Sequence, residues 1–215
     1  MHPLVVFAHG YAVQTATYAA LLDHLAASGA IVAAPELPGQ SSALAGTPNE
    51  ADLANEPCDL EFVASSMIAS PPPPLADAVV NVSLVFAGHS DGATAAVAAG
   101  YQQHSCAGPR PVAVVALSVK DVQIDAVGPA PALLAVTGTA DEMNPAVNTE
   151  RLWSHVAVPA WLVTVDGGTH LGTFTTDPDL TTLADLIARF VGSRTVDAVA
   201  ADGIGSAGRL HIRSR

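Results

Sequence analysis

The short motif Gly88-His89-Ser90-Asp91-Gly92 constrains the fold of this 215-residue chain more than any other feature. It follows an apolar run, Val82–Ala87, that is typical of a buried strand, and it opens an alanine-rich stretch, Asp91–His104, that is typical of a helix. Glycines on both sides allow a sharp turn from strand to helix, in which the middle residue takes a strained backbone conformation. The motif therefore predicts that the Ser90 hydroxyl projects beyond the end of a strand.

The rest of the chain alternates short apolar runs with longer helical patterns. Further strands are predicted at Leu4–His9, Ile31–Ala34, Val112–Leu117, Ala132–Thr137 and Trp161–Val165. Helices are predicted at Ala16–Ser28, Leu60–Ala69, Asp91–His104, Pro145–His155 and Pro178–Val191. Strands joined by crossover helices imply an α/β fold, with a mostly parallel sheet of about six strands and helices on both faces.

The chain length suits one folded domain, which we assign to residues 1–191. Residues 35–57 are rich in Pro, Gly, Ser and Asn and are predicted to form a long functional loop. Residues 192–215 form a C-terminal tail that carries four of the eight basic residues. We expect this tail to be a partly mobile terminus.

Composition and charge exclude several classes of function. A net charge of −12 with a single lysine, Lys120, excludes a phosphate-binding surface and therefore a nucleic-acid partner. No apolar run approaches the roughly 20 residues of a membrane span. The N-terminus lacks the basic region of a signal peptide, which predicts a cytoplasmic location and leaves a secreted mature form open. Cys58 and Cys106 fit no metal-ligand spacing, and we expect free thiols, with a disulfide as the alternative.

A serine hydroxyl is a weak nucleophile, so Ser90 would need a histidine base that a carboxylate orients. Two loops that directly follow predicted strands supply these groups at the same edge of the sheet. The first loop carries Asp141 and Glu142, either of which could be the acid. The second carries His170 as the base, which completes the chain order Ser, Asp or Glu, His.

Other histidines are less suited to act as the base. His89 lies inside the turn, where it cannot easily reach the hydroxyl of its own neighbour. His9 ends a strand and is expected to brace the loop that follows. The remaining candidates lie on predicted helices or near the termini.

The negative charge that develops during acyl transfer needs backbone N–H donors. We expect one donor from Asp91, directly after the nucleophile, and the second from Tyr11 in the loop His9-Gly10-Tyr11. The side chains of Tyr11, Met143 and Leu171 are expected to line the substrate pocket. Chemistry of this kind implies neither a metal nor an organic cofactor.

Together, these residues resemble the α/β-hydrolase family: His9-Gly10-Tyr11, Gly88-His89-Ser90-Asp91-Gly92, Asp141 and His170. The stretch Gly10–Pro38 resembles a narrower branch that contains chlorophyllase-like, platelet-activating-factor-acetylhydrolase-like and cutinase-like bacterial lipases and polyester hydrolases. The resemblance spans Leu4–Val191. It implies the α/β-hydrolase fold and favours Asp141 over Glu142 as the acid.

Three departures from the family pattern shape further expectations. The chain begins at what resembles the third family strand, so Ile31–Ala34 would be an open sheet edge. Such an edge favours a homodimer, unless the gene model is truncated. Ser118–Pro129 is too short for a cap domain, which leaves Glu36–Pro57 as the candidate lid. Ser118–Asp121 contains no tryptophan to flank a substrate, which disfavours polyester cleavage.

The resemblance implies a carboxylesterase or lipase-like hydrolase that acts on small-molecule esters with short to medium acyl chains. Ser90 would be the nucleophile, His170 the base and Asp141 the orienting acid. The alternatives are another acyl transfer on the same triad (thioester, peptide or polyester cleavage) or a non-catalytic binding protein. Binding alone has no need of three such residues in order, and no clustered ligands suggest a metal-dependent hydrolase.

Overall fold

The computed structural model describes residues 2–78, 82–102, 106–124, 130–156, 159–196 and 208–215. The strands are β1 (Pro3–Ala8), β2 (Ile31–Ala33), β3 (Ser83–His89), β4 (Ala113–Leu117), β5 (Ala132–Gly138), β6 (Ala160–Val165) and β7 (Leu210–Ser214). They form one sheet in the order β2-β1-β3-β4-β5-β6-β7. The first six strands run parallel, and β7 pairs antiparallel with β6.

Helices cover both faces of this sheet. They are α1 (Ala19–Ala27), α2 (Glu56–Ala69), α3 (Asp91–Tyr101), α4 (Ala146–His155) and α5 (Leu180–Ser193). Along β1, Val5 and Phe7 pack with α1 and α5, whereas Leu4 and Val6 pack with α2, α3 and α4. Burial on both faces explains why the parallel strands are continuous apolar runs. Of the helices in the described residues, none is long and apolar enough to span a bilayer.

The predicted fold class is confirmed, and each of the six predicted strands is present with ends shifted by at most a few residues. The strand β7 is not expected from the sequence, in which residues 192–215 read as a terminal tail. In β7, Leu210 and Ile212 are buried and alternate with the exposed His211 and Arg213. This alternation is typical of a strand with one face packed on the core.

Arginine side chains attach β7 to the neighbouring loop and helix. Arg209 forms an ion pair with Asp177 at 3.0 Å, and its Nε donates a hydrogen bond to the carbonyl oxygen of Asp166 at 2.8 Å. Arg213 forms an ion pair with Glu150 of α4 at 2.7 Å. The C-terminal strand therefore supports the loop after β6, which carries His170.

At the opposite edge, β2 is short and pairs with β1 through three residues. Residues 34–54 follow it and include a 3-10 helix, Glu50–Ala54. We call this segment the cover loop. The sequence predicted β2 as the open edge, and β2 is indeed the edge strand of the described sheet. Pairing of two copies through this edge stays a prediction.

The two cysteines form a disulfide, so the expectation of free thiols is wrong. The Cα atoms of Cys58 and Cys106 lie 5.5 Å apart. Cys58 lies in the first turns of α2, and Cys106 follows the end of α3. The bond therefore joins α2 to the segment after α3, and these two helices pack against each other. Residues 103–105, at the predicted end of the α3 helix, lie outside the described residues.

Candidate active site

Ser90 occupies the sharp turn between β3 and α3. Its backbone has φ 57° and ψ −117°, which places it in a region that costs an ordinary residue about 1–3 kcal/mol. Gly88 and Gly92 permit the close packing that the turn requires. A Cβ atom on Gly92 would overlap the carbonyl oxygen of Ala8, and one on Gly88 would overlap that of Gly92. The N–H of Ser90 donates to the carbonyl oxygen of Leu117 at 2.9 Å, which anchors the turn to β4.

The structure brings Ser90, His170 and Asp141 into one hydrogen-bonded array. His170 Nε2 lies 3.0 Å from Ser90 Oγ. His170 Nδ1 lies 2.9 Å from Asp141 Oδ2 and 3.0 Å from Asp141 Oδ1. The carboxylate faces one ring nitrogen and the hydroxyl faces the other. This is the arrangement in which a histidine can take a proton from a serine.

The backbone around Asp141 favours an ionised carboxylate. Asp141 Oδ1 accepts hydrogen bonds from the N–H of Met143 at 3.0 Å and from the N–H of Asn144 at 2.8 Å. Burial alone would raise the pKa of Asp141, but the hydrogen bonds from His170 and from the Asn144 N–H outweigh it. The pKa of this carboxyl therefore lies below its usual value.

Asn144 is a further polar neighbour of the array. Its Nδ2 donates to the carbonyl oxygen of Ser118 at 2.7 Å and lies 3.4 Å from Ser90 Oγ. The structure also separates the two acids that the sequence left as alternatives. His170 contacts Asp141, whereas the side chain of Glu142 is exposed.

The two expected N–H donors border the same cleft as Ser90. Asp91 is the first residue of α3, so its N–H has no carbonyl one turn earlier to bind within the helix. The positive end of the helix also favours negative charge at this point. Tyr11 lies in the loop after β1, and both residues line the cleft beside Ser90.

The cleft has a volume of about 380 Å³. All three side chains that were expected to contact substrate, Tyr11, Met143 and Leu171, line it. Tyr11 is 40% exposed and Met143 is 74% exposed, so apolar surface surrounds the entrance. Glu50, in the 3-10 helix of the cover loop, also lines the cleft.

A charged cluster holds the cover loop against the sheet. Lys120, three residues after the end of β4, lies 2.7 Å from the buried carboxylate of Asp91 and forms a second ion pair with Glu50 of the cover loop. The Tyr11 hydroxyl donates to the carbonyl oxygen of Pro48 at 3.1 Å. Tyr11 and Lys120, which both line the cleft, therefore attach the cover loop to it.

The sequence patterns did not predict three further residues that line the cleft with Ser90, namely Asn144, Lys120 and His89. Asn144 shares its loop with Asp141, and Lys120 follows a strand at the same sheet edge, so strand-end position could have indicated both. His89 was set aside because it cannot reach Ser90, and its partners are distant in sequence. Within the described part of the chain, no group of three His, Cys, Asp or Glu side chains is arranged to hold a metal ion.

Comparison with known proteins agrees with this architecture. The parallel sheet with its serine turn and flanking helices defines an α/β-hydrolase fold. The family model described as chlorophyllase matches residues 1–162, and the chain belongs to this family. A crystal structure titled as that of esterase PE8 matches with a TM-score of 0.59 at 19% identity, over 88% of this chain and 92% of that one. No curated protein sequence matches the chain.

Proposed function

We propose that this protein is a serine esterase that hydrolyses carboxylic esters with short to medium acyl chains. The observation that carries the proposal is the array in which His170 Nε2 lies 3.0 Å from Ser90 Oγ while Nδ1 faces Asp141. Membership of the chlorophyllase family and the likeness to a protein titled esterase support ester hydrolysis in general.

In the proposed acylation step, Ser90 Oγ attacks the ester carbonyl carbon and His170 Nε2 accepts the hydroxyl proton. The N–H groups of Tyr11 and Asp91 stabilise the negative oxygen of the tetrahedral intermediate. The C–O bond to the alcohol then breaks, and His170 gives its proton to the leaving alkoxide. Asp141 remains ionised throughout and stabilises the charged imidazole.

Deacylation repeats these roles with water as the nucleophile. His170 accepts a proton from water as the water oxygen attacks the acyl carbon attached to Ser90. The bond between Ser90 Oγ and the acyl carbon then breaks, and the proton returns to Ser90. The products are the free acid and a regenerated serine, and the steps balance without a cofactor.

The cleft supports a neutral ester of modest size as the substrate. Its volume of about 380 Å³ lies near the lower end of the range for small-molecule sites. Apolar side chains at Tyr11, Met143 and Leu171 favour an acyl chain. Glu50 at the rim and the net charge of −12 disfavour anionic substrates.

The experiment that tests this function measures hydrolysis of p-nitrophenyl esters from acetate to palmitate by wild type, Ser90→Ala and Ser65→Ala. Ser65 is the matched control, because its hydroxyl donates to the carbonyl oxygen of Glu61 within α2, on a helix that does not carry Ser90. We expect turnover that peaks at a short or medium chain and is abolished only in Ser90→Ala. Turnover that survives Ser90→Ala would overturn the proposal.

The cytoplasmic location expected from the N-terminus also stays a proposal. The Cys58–Cys106 disulfide favours the other possibility, because such bonds persist in oxidising compartments. Fractionation of the native host, with detection of the protein in the cytoplasm and outside it, distinguishes the two.

A further inference from the structure

His89 lies directly behind Ser90 and is buried on all sides. Its ring centroid lies 4.5 Å from that of His170, 5.1 Å from that of Phe174 and 5.5 Å from that of Tyr18. The proposed reaction gives this side chain no proton to carry. A fully buried imidazole beside the reactive serine therefore needs another explanation.

Both ring nitrogens of His89 have hydrogen-bond partners. Nε2 lies 3.0 Å from the carbonyl oxygen of His170, and Nδ1 lies 2.8 Å from the hydroxyl oxygen of Tyr18. The carbonyl can only accept, so Nε2 carries the proton and donates it. Nδ1 then accepts the hydrogen bond from the Tyr18 hydroxyl.

The same chain continues into the loop that carries Tyr11. The hydroxyl oxygen of Tyr18 accepts a hydrogen bond from the N–H of Gly10 at 3.2 Å. Packing at this point is tight, because a Cβ atom on Gly10 would lie 3.2 Å from His89 Nδ1 and 3.3 Å from Tyr18 Oη. One directed chain thus runs from Gly10 N–H through Tyr18 and His89 to the carbonyl of His170.

His89 stays neutral across the working range of pH. Burial, and secondarily the neighbouring His170, lowers the pKa of His89 to about 3. A neutral ring keeps the same donor and acceptor pattern and does not compete with His170 for the serine proton. The hydrogen-bond chain therefore has one direction at neutral pH.

We infer that His89 is a positioning residue that fixes the main chain of the base, His170, relative to the Gly10–Tyr11 loop that supplies an oxyanion donor. The inference rests on the proposed esterase function. A base and an oxyanion donor must both lie within tenths of an ångström of their productive positions. A single side chain that connects both loops can hold this relation.

Two substitutions of His89 separate positioning from simple packing. In His89→Gln, the amide nitrogen can occupy the place of Nε2 and donate to the His170 carbonyl. His89→Asn can retain only the contact near Nδ1, so that carbonyl loses its donor. We expect kcat to fall about 100-fold in His89→Asn with KM within about twofold of wild type, because misplacement of about 1 Å has such an effect. His89→Gln should keep kcat within about fivefold.

A pair of tyrosine substitutions gives a second test with a matched control. Tyr18 and Tyr101 are both fully buried, and the Tyr101 hydroxyl donates to the carbonyl oxygen of Pro131 at 2.9 Å, away from the cleft. Each Phe variant loses one buried hydroxyl, which has two hydrogen-bond partners in Tyr18 and bonds to the Pro131 carbonyl in Tyr101, so the stability of both variants is measured alongside kcat. We expect kcat to fall about 10-fold in Tyr18→Phe and to stay at the wild-type value in Tyr101→Phe.

The outcomes separate this inference from the proposed function. If wild type does not hydrolyse p-nitrophenyl esters, the esterase proposal fails and the role of His89 fails with it. If wild type is active but the Asn and Gln variants are equally impaired or equally active, only the inference about His89 is overturned. If neither His89 variant folds by circular dichroism, equal kcat in Tyr18→Phe and Tyr101→Phe would overturn it.

Discussion

The two walls of the cleft are built in different ways. On the sheet side, Ser90, Asp141 and His170 lie at strand ends, and each is held by hydrogen bonds from more than one direction. On the other side, the cover loop is attached to the cleft through Tyr11 and Lys120, which are partly exposed. The residues proposed to carry out the chemistry are therefore held by several hydrogen bonds, whereas the shape of the entrance depends on a loop with exposed attachments.

The two walls also differ in the free energy that is lost when one contact is broken. Breaking one hydrogen bond in the buried array leaves an unsatisfied polar group, at a cost of about 1–3 kcal/mol. An exposed ion pair such as Lys120–Glu50 contributes little to stability and weakens in salt. We therefore expect changes on the sheet side to abolish turnover and changes in the cover loop to tune it.

The largest effect should come from the carboxylate of the sheet-side wall. In Asp141→Asn, the amide can no longer hold His170 in the tautomer that accepts the serine proton, and we expect kcat to fall about 10⁴-fold. Glu142→Gln is the matched control. Glu142 is next to Asp141 in the chain but its side chain is exposed, so this substitution should leave kcat unchanged. Steady-state kinetics on a p-nitrophenyl ester measure both. A large loss in Glu142→Gln instead would reassign the acid.

The disulfide should affect stability strongly and chemistry little. With a sequence separation of 48, closure of the Cys58–Cys106 loop contributes about 4 kcal/mol to the free energy of unfolding in the chain-entropy account. We expect denaturation midpoints to fall in reductant or in the double Cys→Ala variant, while kcat stays at the wild-type value. Equal midpoints with and without reductant would show that the bond does not constrain the chain in solution.

Glu56 introduces a pH dependence at the base of the cover loop. Both of its carboxylate oxygens are buried without a hydrogen-bond partner among the described residues. Burial, together with the nearby Asp91, raises the pKa of Glu56 from 4.5 to about 8. Between these values the folded protein holds a proton that the unfolded chain releases, so stability falls as pH rises toward 8.

Substitution by glutamine removes this titration and keeps the volume of the side chain. We expect the Tm of wild type to fall relative to that of Glu56→Gln between pH 5 and pH 8, by roughly 5 °C. Glu142→Gln, on an exposed side chain, should follow the wild-type curve. Differential scanning calorimetry across this range measures the difference, and parallel curves for wild type and Glu56→Gln would refute the prediction.

The smallest effect should come from the cover loop itself. Glu50→Gln removes the exposed partner of Lys120 and leaves the Lys120–Asp91 pair in place. We expect KM for longer esters to change about twofold to threefold with kcat unchanged, and the change to be smaller at high salt. Asp121→Asn, which breaks an exposed pair with Arg151 at 3.0 Å, is the matched control. A fall in kcat in Glu50→Gln would contradict this prediction, because it would show that the cover loop affects the catalytic steps.

Sequence patterns predicted the strands of the sheet well, because the determinants of a strand are local. Apolar runs mark the strands, and residues just after them meet at one sheet edge, which is how Asp141 and His170 were selected. The strand β7 was missed because only Leu210 and Ile212 in it are apolar. The ion pairs of Arg209 and Arg213 that attach it are with residues of other elements, so they leave no local pattern. Nothing local to Cys58 indicates Cys106 as its partner.

The contacts of His89 show why part of the site cannot be predicted from the sequence. Its hydrogen-bond partners Tyr18 and His170 are 71 and 81 residues away along the chain. Each of the three residues has an ordinary local role, in a 3-10 helix, a strand end and a loop. Their connection exists only after the sheet has brought those segments together.

Covalent labelling tests most directly the claim that Ser90 is the nucleophile of this hydrolase. Wild type, Ser90→Ala and the control Ser65→Ala are treated with a fluorophosphonate probe, and intact mass and peptide mass spectrometry follow the adduct. We predict one adduct, on Ser90, in wild type and Ser65→Ala, with loss of ester hydrolysis in step with labelling, and no adduct in Ser90→Ala. An adduct on another residue, or hydrolysis that persists in Ser90→Ala, would contradict the account.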